Sequence, residues 1–159
     1  MMNYPPKASS GLTLIELLVV IGIFVLLFAI GLTALVSSRT AKQLDVITDS
    51  IASKLEEAKT NAMSGKNGTN FGLAFSTNTY TYWSGTSYDP ANTTNNVYAI
   101  PGNFIISSNT IPGTYHALKF ARVTGMPDMT GSITISNMSN ASIYDTITIG
   151  TVGNIIVIK

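Results

Sequence analysis

An α+β fold, one long N-terminal helix followed only by strands, is predicted from three features of the sequence. The run from Leu12 to Val36 is almost wholly apolar, with Glu16 as its one ionisable side chain. The next segment, to about Ser64, lacks proline and glycine and repeats Leu44, Ile47, Ile51, Leu55, Ala58 and Ala62 at three- and four-residue intervals. From Phe71 onward, short β-branched and aromatic runs alternate with turn residues. A helix with one apolar stripe needs a surface to bury it against, and an antiparallel β-sheet domain built from those later runs supplies one.

The apolar run offers about 25 residues, roughly 37 Å of helix at ~1.5 Å per residue, against a hydrocarbon core of about 30 Å. It therefore predicts a transmembrane helix over 12–36. A secretory signal would have a shorter apolar region, ~7 to 15 residues, and a small-residue cleavage site after it. The segment Met1–Gly11 holds one fixed charge, Lys7, together with Pro5-Pro6. A carboxylate at mid-membrane costs roughly 2.5 to 3.5 kcal/mol, so Glu16 belongs near an edge or beside a partner.

Over 37–64 the stripe lies on one helical face, while Lys42, Asp45, Asp49, Glu56, Glu57 and Lys59 mostly occupy the rest. The stripe is expected to pack on the chain's own sheet. A partner coiled coil is the alternative, with only about three heptads to build it.

The region 65–159 reads as a β-rich head. Phe71–Phe75 and Tyr80–Trp83 are expected strands joined at Thr77-Asn78, and Ser84–Asn96 an exposed loop. Val97–Ile100, Phe104–Ile106, Leu118–Val123, Ile133–Ile135, Ile147–Ile149 and Ile155–Ile158 are further strands. Pro101-Gly102, Pro112-Gly113 and Gly150–Asn154 punctuate them. Tyr80, Tyr82, Trp83 and Tyr88 are expected to cover one sheet face, with stacking on a sugar, base or other ligand as the alternative.

Composition excludes several function classes. Cysteine is absent and His116 is the only histidine, while Asp89, Asp128 and Asp145 are scattered among segments, so no catalytic constellation, metal site or cofactor is expected. The 9 basic and 8 acidic side chains give a formal charge of +1, which provides no broad attraction to nucleic acid. Lys66, Lys119 and Arg122, with Tyr80, Tyr82 and Trp83, are the candidates for ligand contact. Four Asn-x-Ser/Thr sequons begin at Asn67, Asn92, Asn137 and Asn140, as expected by chance in so Asn-, Ser- and Thr-rich a chain.

Gly11 followed by Leu-Thr-Leu-Ile-Glu-Leu resembles the processing site of type IV pilins and type II secretion pseudopilins. The resemblance implies that 1–11 is a leader cut after Gly11 by a prepilin peptidase and methyltransferase, leaving Leu12 as an N-methylated terminus. Glu16 then matches the family's glutamate, an assembly residue that compensates the Leu12 amine of a neighbouring subunit. Further implied partners are other pilin or pseudopilin subunits, an inner-membrane assembly platform and, before assembly, membrane lipid. The implied location is the inner membrane as a single-pass precursor, then a periplasmic or cell-surface filament. Flanking charge prefers the opposite orientation, since Lys7 precedes the span and Arg39 and Lys42 follow it.

Toward the C-terminus, Phe120, Gly125, Gly131–Ile135, Ile147–Ile149 and Gly153–Val157 are similar to the closing strands of the minor, H-type pseudopilin branch. That branch often has arginine after the last glycine, where this chain has Asn154. The function implied is a structural filament subunit. A minor pilin that binds DNA or a surface, and a tethered protein that never polymerises, are the alternatives.

Overall fold

The computed structural model describes residues 13–159, with the side chains of 30–37 outside the described set. Two compact units divide the chain, 1–39 and Thr40–Lys159, and helix α1 (Leu14–Met63) contributes to both.

In the first unit α1 starts at an N-cap. Thr13 Oγ1 accepts the Glu16 N–H at 3.3 Å, and the Thr13 carbonyl accepts the Leu17 N–H at 3.2 Å. Thr13-Leu14-Ile15-Glu16 has the spacing of a capping box, and the Glu16 carboxylate complements the positive end of the helix dipole. Every described side chain from Leu14 to Ala29 is exposed, on all sides of the helix.

In the second unit the last turns of α1 carry the stripe inward. Ile51, Leu55, Ala58 and Ala62 are fully buried, and Leu44 and Ile47 nearly so. The helix ends at Gly65, which adopts the left-handed conformation (φ 65°) that L side chains avoid and donates its N–H to the Ala62 carbonyl at 3.0 Å. That carbonyl also accepts the Val123 N–H at 2.9 Å, so the sheet domain helps to cap the helix.

Eight strands follow: β1 (Asn70–Phe75), β2 (Thr79–Gly85), β3 (Asn96–Ala99), β4 (Phe104–Asn109), β5 (Ala117–Phe120), β6 (Gly131–Asn137), β7 (Tyr144–Ile149) and β8 (Ile155–Ile158). They form two antiparallel four-stranded sheets, ordered β3-β2-β1-β5 and β4-β6-β7-β8, where one sheet was expected. The chain first crosses between the sheets after β3, at Pro101, which has no N–H to donate, and Gly102, at φ 70°, then returns to the first sheet for β5 before β6. Both sheets share one core with α1. Leu73, Leu118 and Phe120 come from the first sheet, and Ile133, Ile135, Ile147 and Ile149 from the second. The Ile-Thr-Ile units alternate as half-buried strands do, isoleucines inward.

Two local expectations need correction. The run Leu118–Val123 leaves the sheet after Phe120 into a turn closed by the Ala121 N–H on the Met126 carbonyl at 2.8 Å, within which Val123 adopts a left-handed backbone (φ 73°) and reaches the Ala62 carbonyl. The aromatic cluster does not share a face. Tyr80 and Tyr82 point toward α1, where their hydroxyls meet Ser50 Oγ at 3.2 Å and Asn61 Nδ2 at 2.8 Å, whereas Trp83, one residue on, lies on the opposite face.

Candidate functional site

The implied processing residues Gly11 and Leu12 lie outside the described residues. Glu16 does not, and its surroundings are unusual for a charged group. It stands three residues into α1, exposed, followed by Leu17, Leu18, Val19, Val20, Ile21 and further apolar side chains to Phe28 that are each 41 to 68% exposed. Exposed apolar surface of this extent is unfavourable in water and requires lipid or other helices to cover it. The described apolar helix from Leu14 to Ala29 spans about 24 Å, and no helix among the described residues is long and apolar enough to cross a membrane. The expected span 12–36 extends beyond that stretch at both ends, into Leu12 and into residues whose side chains lie outside the described set.

Thr13 was missed as a functional position in the sequence reading, although the signal was present: Thr-x-x-Glu ahead of an apolar run is a helix-start signature. It makes Glu16 a helix-starting residue as well as a candidate assembly residue. Gln can replace Glu in the box, so the hydrogen-bonding part of that role does not require the charge, whereas the assembly role does.

The candidate ligand contacts do not converge. Tyr80 is buried in the core and Tyr82 is half-buried under α1, beside Lys54. Trp83 lies across the outer face of the first sheet, above Gly72. Lys119 shares that face but is paired with Asp128 at 3.6 Å, while its own N–H donates to Asp128 Oδ1 at 2.9 Å. The Arg122 guanidinium reaches the Gly68 carbonyl at 3.4 Å, over the one-turn helix Lys66–Gly68 that carries Lys66. Lys119 and Arg122 are tied to structure, and with Lys66 they lie on separate elements rather than gathered on a stacking platform, as DNA binding would require.

His116 serves the fold. Its backbone is left-handed (φ 46°) and its Nδ1 lies 2.6 Å from the Ile111 carbonyl, so the Nδ1–H tautomer donates there. Asn137 is committed too, its Oδ1 accepting the N–H groups of Ser139 and Asn140 at 2.9 and 3.0 Å. Asn154, in the place where the resembling branch has arginine, closes the β7–β8 turn: its carbonyl accepts the Gly150 N–H at 3.0 Å and its side chain packs on Gly150.

The one perturbed carboxylate is Asp145 on β7, 4% exposed. Desolvation raises it above the ordinary aspartate value, and Asp45 and Asp49 on α1 add to the rise while Thr48 and Lys159 oppose it. Thr48 is close enough to act electrostatically but not in hydrogen-bond geometry: its Oγ1 and Asp145 Oδ2 are both buried without a partner. Lys159 instead bridges Asp45 and Asp49, at 3.0 and 3.5 Å, and pins the C-terminus to α1. No group of three or more His, Cys, Asp or Glu residues able to hold a metal occurs among the described residues.

Comparison with known proteins supports the N-terminal reading and the fold separately. The prokaryotic N-terminal methylation motif matches residues 6–35, which contain Gly11, Leu12 and Glu16. No curated relative matches the chain. Among solved structures, the minor pseudopilin EpsH from the Type 2 Secretion System of Vibrio cholerae superposes with a TM-score of 0.56 at 12% identity, covering 73% of this chain and 96% of that one. At that identity the likeness is one of fold. The chain thus carries the prokaryotic N-terminal methylation motif over residues 6–35 and a fold similar to that of a minor pseudopilin.

Proposed function

We propose that the protein is a structural subunit of a type IV pilus-like filament or type II secretion pseudopilus, assembled through its N-terminal helix. The observation that carries this reading is the helix stretch Leu14–Ala29, exposed and apolar all round, headed by the methylation motif and interrupted by one carboxylate. Such a helix is covered by lipid before assembly and by neighbouring subunits after it. The chain is accordingly a membrane-anchored precursor. It crosses the inner membrane once, is cut after Gly11 and N-methylated at Leu12 by a prepilin peptidase and methyltransferase, and is drawn by the assembly platform into a periplasmic or surface filament.

Removal of 1–11 creates a cationic amine at Leu12, at the positive end of the α1 dipole and in apolar surroundings. A carboxylate must compensate it, and Glu16 is the one acidic side chain between residue 1 and Asp45. Leu12 and Glu16 of neighbouring subunits then form the assembly contact. The chain is a structural part and no catalytic role is proposed for it.

Mass analysis of the mature protein's N-terminus tests the processing step. A chain beginning at N-methyl-Leu12 is expected. A terminus beyond residue 30 marks a secretory signal and contradicts the reading.

A further inference from the structure

The outer face of the first sheet, opposite to the one that packs on α1, carries a second kind of surface. Cross-strand pairing places Gly72 between Trp83 and Lys119, and Ala74 between Thr81 and Ala117, so small side chains leave a low floor along β1. Two loops rise over it, one carrying Tyr88 and the other Tyr115. The Tyr88 ring contacts that of Trp83 at 5.9 Å and that of Tyr115 at 5.6 Å, edge-on. Beneath them lie two cavities of about 500 and 210 Å³ that share Tyr88, Thr114 and Tyr115 as a common wall.

The two cavities differ in lining, the larger rich in hydroxyls and the smaller mostly apolar, with the Lys119–Asp128 pair at its wall. Hydroxyls dominate the larger cavity, with Thr79 and Thr81 on the floor and Ser107 and Ser108 from β4 at the side. No Asp, Glu, Lys or Arg lines it, and His116 is engaged with Ile111. Trp83, 3% exposed, lines the smaller cavity with its Nε1–H unpaired, although a buried indole N–H normally finds an acceptor.

We propose that this cleft binds a neutral oligosaccharide, with one sugar ring stacked on Tyr115 and the next among the Thr and Ser hydroxyls. Each hydroxyl both donates and accepts, which suits a ligand whose own polar groups are hydroxyls. The exposed Tyr115 ring, 51% accessible, offers a face to the C–H side of a pyranose. A nucleic acid or acidic glycan would find no cation in the larger cavity, and in the smaller one Lys119 is already paired with Asp128. The cavity volume lies in the range of small-ligand sites, about 300 to 1,000 Å³. The inference goes beyond the assembly role and does not depend on it, since the cleft lies entirely within the unit Thr40–Lys159.

Trp83 is the only tryptophan in the chain, so its emission reports on the cleft directly. The full chain, in a zwitterionic detergent without a sugar headgroup, is screened on an array of neutral and acidic glycans that includes maltotriose, cellotriose and N,N′-diacetylchitobiose. Neutral glycans that bind are then titrated by calorimetry and by Trp83 fluorescence. At least one is expected to shift the emission saturably, with affinity falling about tenfold in Tyr115→Ala, the scale of one lost aromatic contact, and kept in Tyr115→Phe. Thr81→Val should weaken binding without altering the melting temperature. No neutral glycan bound, acidic glycans alone bound, or binding indifferent to Tyr115→Ala would each overturn the proposal.

Discussion

Gly72 and Asp145 show how single side chains constrain this fold. Gly72 lies where a Cβ would collide with the Leu118 carbonyl and sit 2.9 Å from Trp83 Cε2 and Cζ2. One obstacle is backbone and the other a buried indole, so neither yields easily. Gly72→Ala is expected to destabilise the domain by about 3 kcal/mol or more, read as a lowered urea midpoint. Asp145 makes a pH-dependent contribution of predictable sign. Burial raises its native pKa above the unfolded value of 3.8, so the folded state binds the proton more tightly. The contribution is fully present below the unfolded value and is lost as pH rises through the raised native one. Asp145→Asn should therefore stabilise the protein at neutral pH and have little effect in acid. The comparison is the difference in urea midpoint between variant and wild type at about pH 4 and about pH 7. A difference of the same size at both would mean that burial does not raise the Asp145 pKa in the folded state.

At the scale of elements, the amphipathic stretch of α1 and the strands bear the energetic weight. The fully buried Ile51 faces the sheets with Leu55 and Ala58, and a carboxylate there would be desolvated with no partner. A fragment comprising Thr40–Lys159 is expected to fold cooperatively, and Ile51→Asp to cost more than ~4 kcal/mol and abolish its thermal transition. A retained transition would show that the stripe faces something other than the core. These elements were legible because their signals are local: period-two Ile-Thr-Ile units, and a stripe at three- and four-residue spacing. What was not legible depended on pairing choices between distant segments. Nothing near Pro101 says that β4 pairs with β6 rather than β3, or that β5 returns to β1, the two choices that split the strands into two sheets. The period of two should have separated Trp83 from Tyr80 and Tyr82, and reading them as one cluster overlooked it. The turn after Phe120 holds Val123 in a backbone conformation that valine rarely adopts, so its side chain gave no warning.

For the whole molecule, the methylation motif and the proposed cleft fall in different units. The N-terminal one carries a motif readable from sequence, because cleavage and methylation recognise a short linear stretch. The scattered candidates Lys66, Lys119 and Arg122 illustrate the opposite case, since side chains distant in sequence converge only if topology brings them together, and here each is built into its own turn or pair. Glu16 is proposed to join subunits by pairing with the Leu12 amine of a neighbour. Removing one partner of a buried pair costs about 3 to 5 kcal/mol, large against a single docking step. Glu16→Gln keeps the helix-starting hydrogen-bonding capacity and loses the charge, whereas Glu16→Ala loses both. The decisive measurement is the ratio of this protein in sheared filaments to that left in membranes, for wild type and both variants, with insertion and leader cleavage confirmed in each. Both variants are expected to be inserted and cleaved normally yet to fall at least about tenfold in that ratio. An unchanged ratio, or a loss in Glu16→Ala that Glu16→Gln does not share, would contradict that pairing.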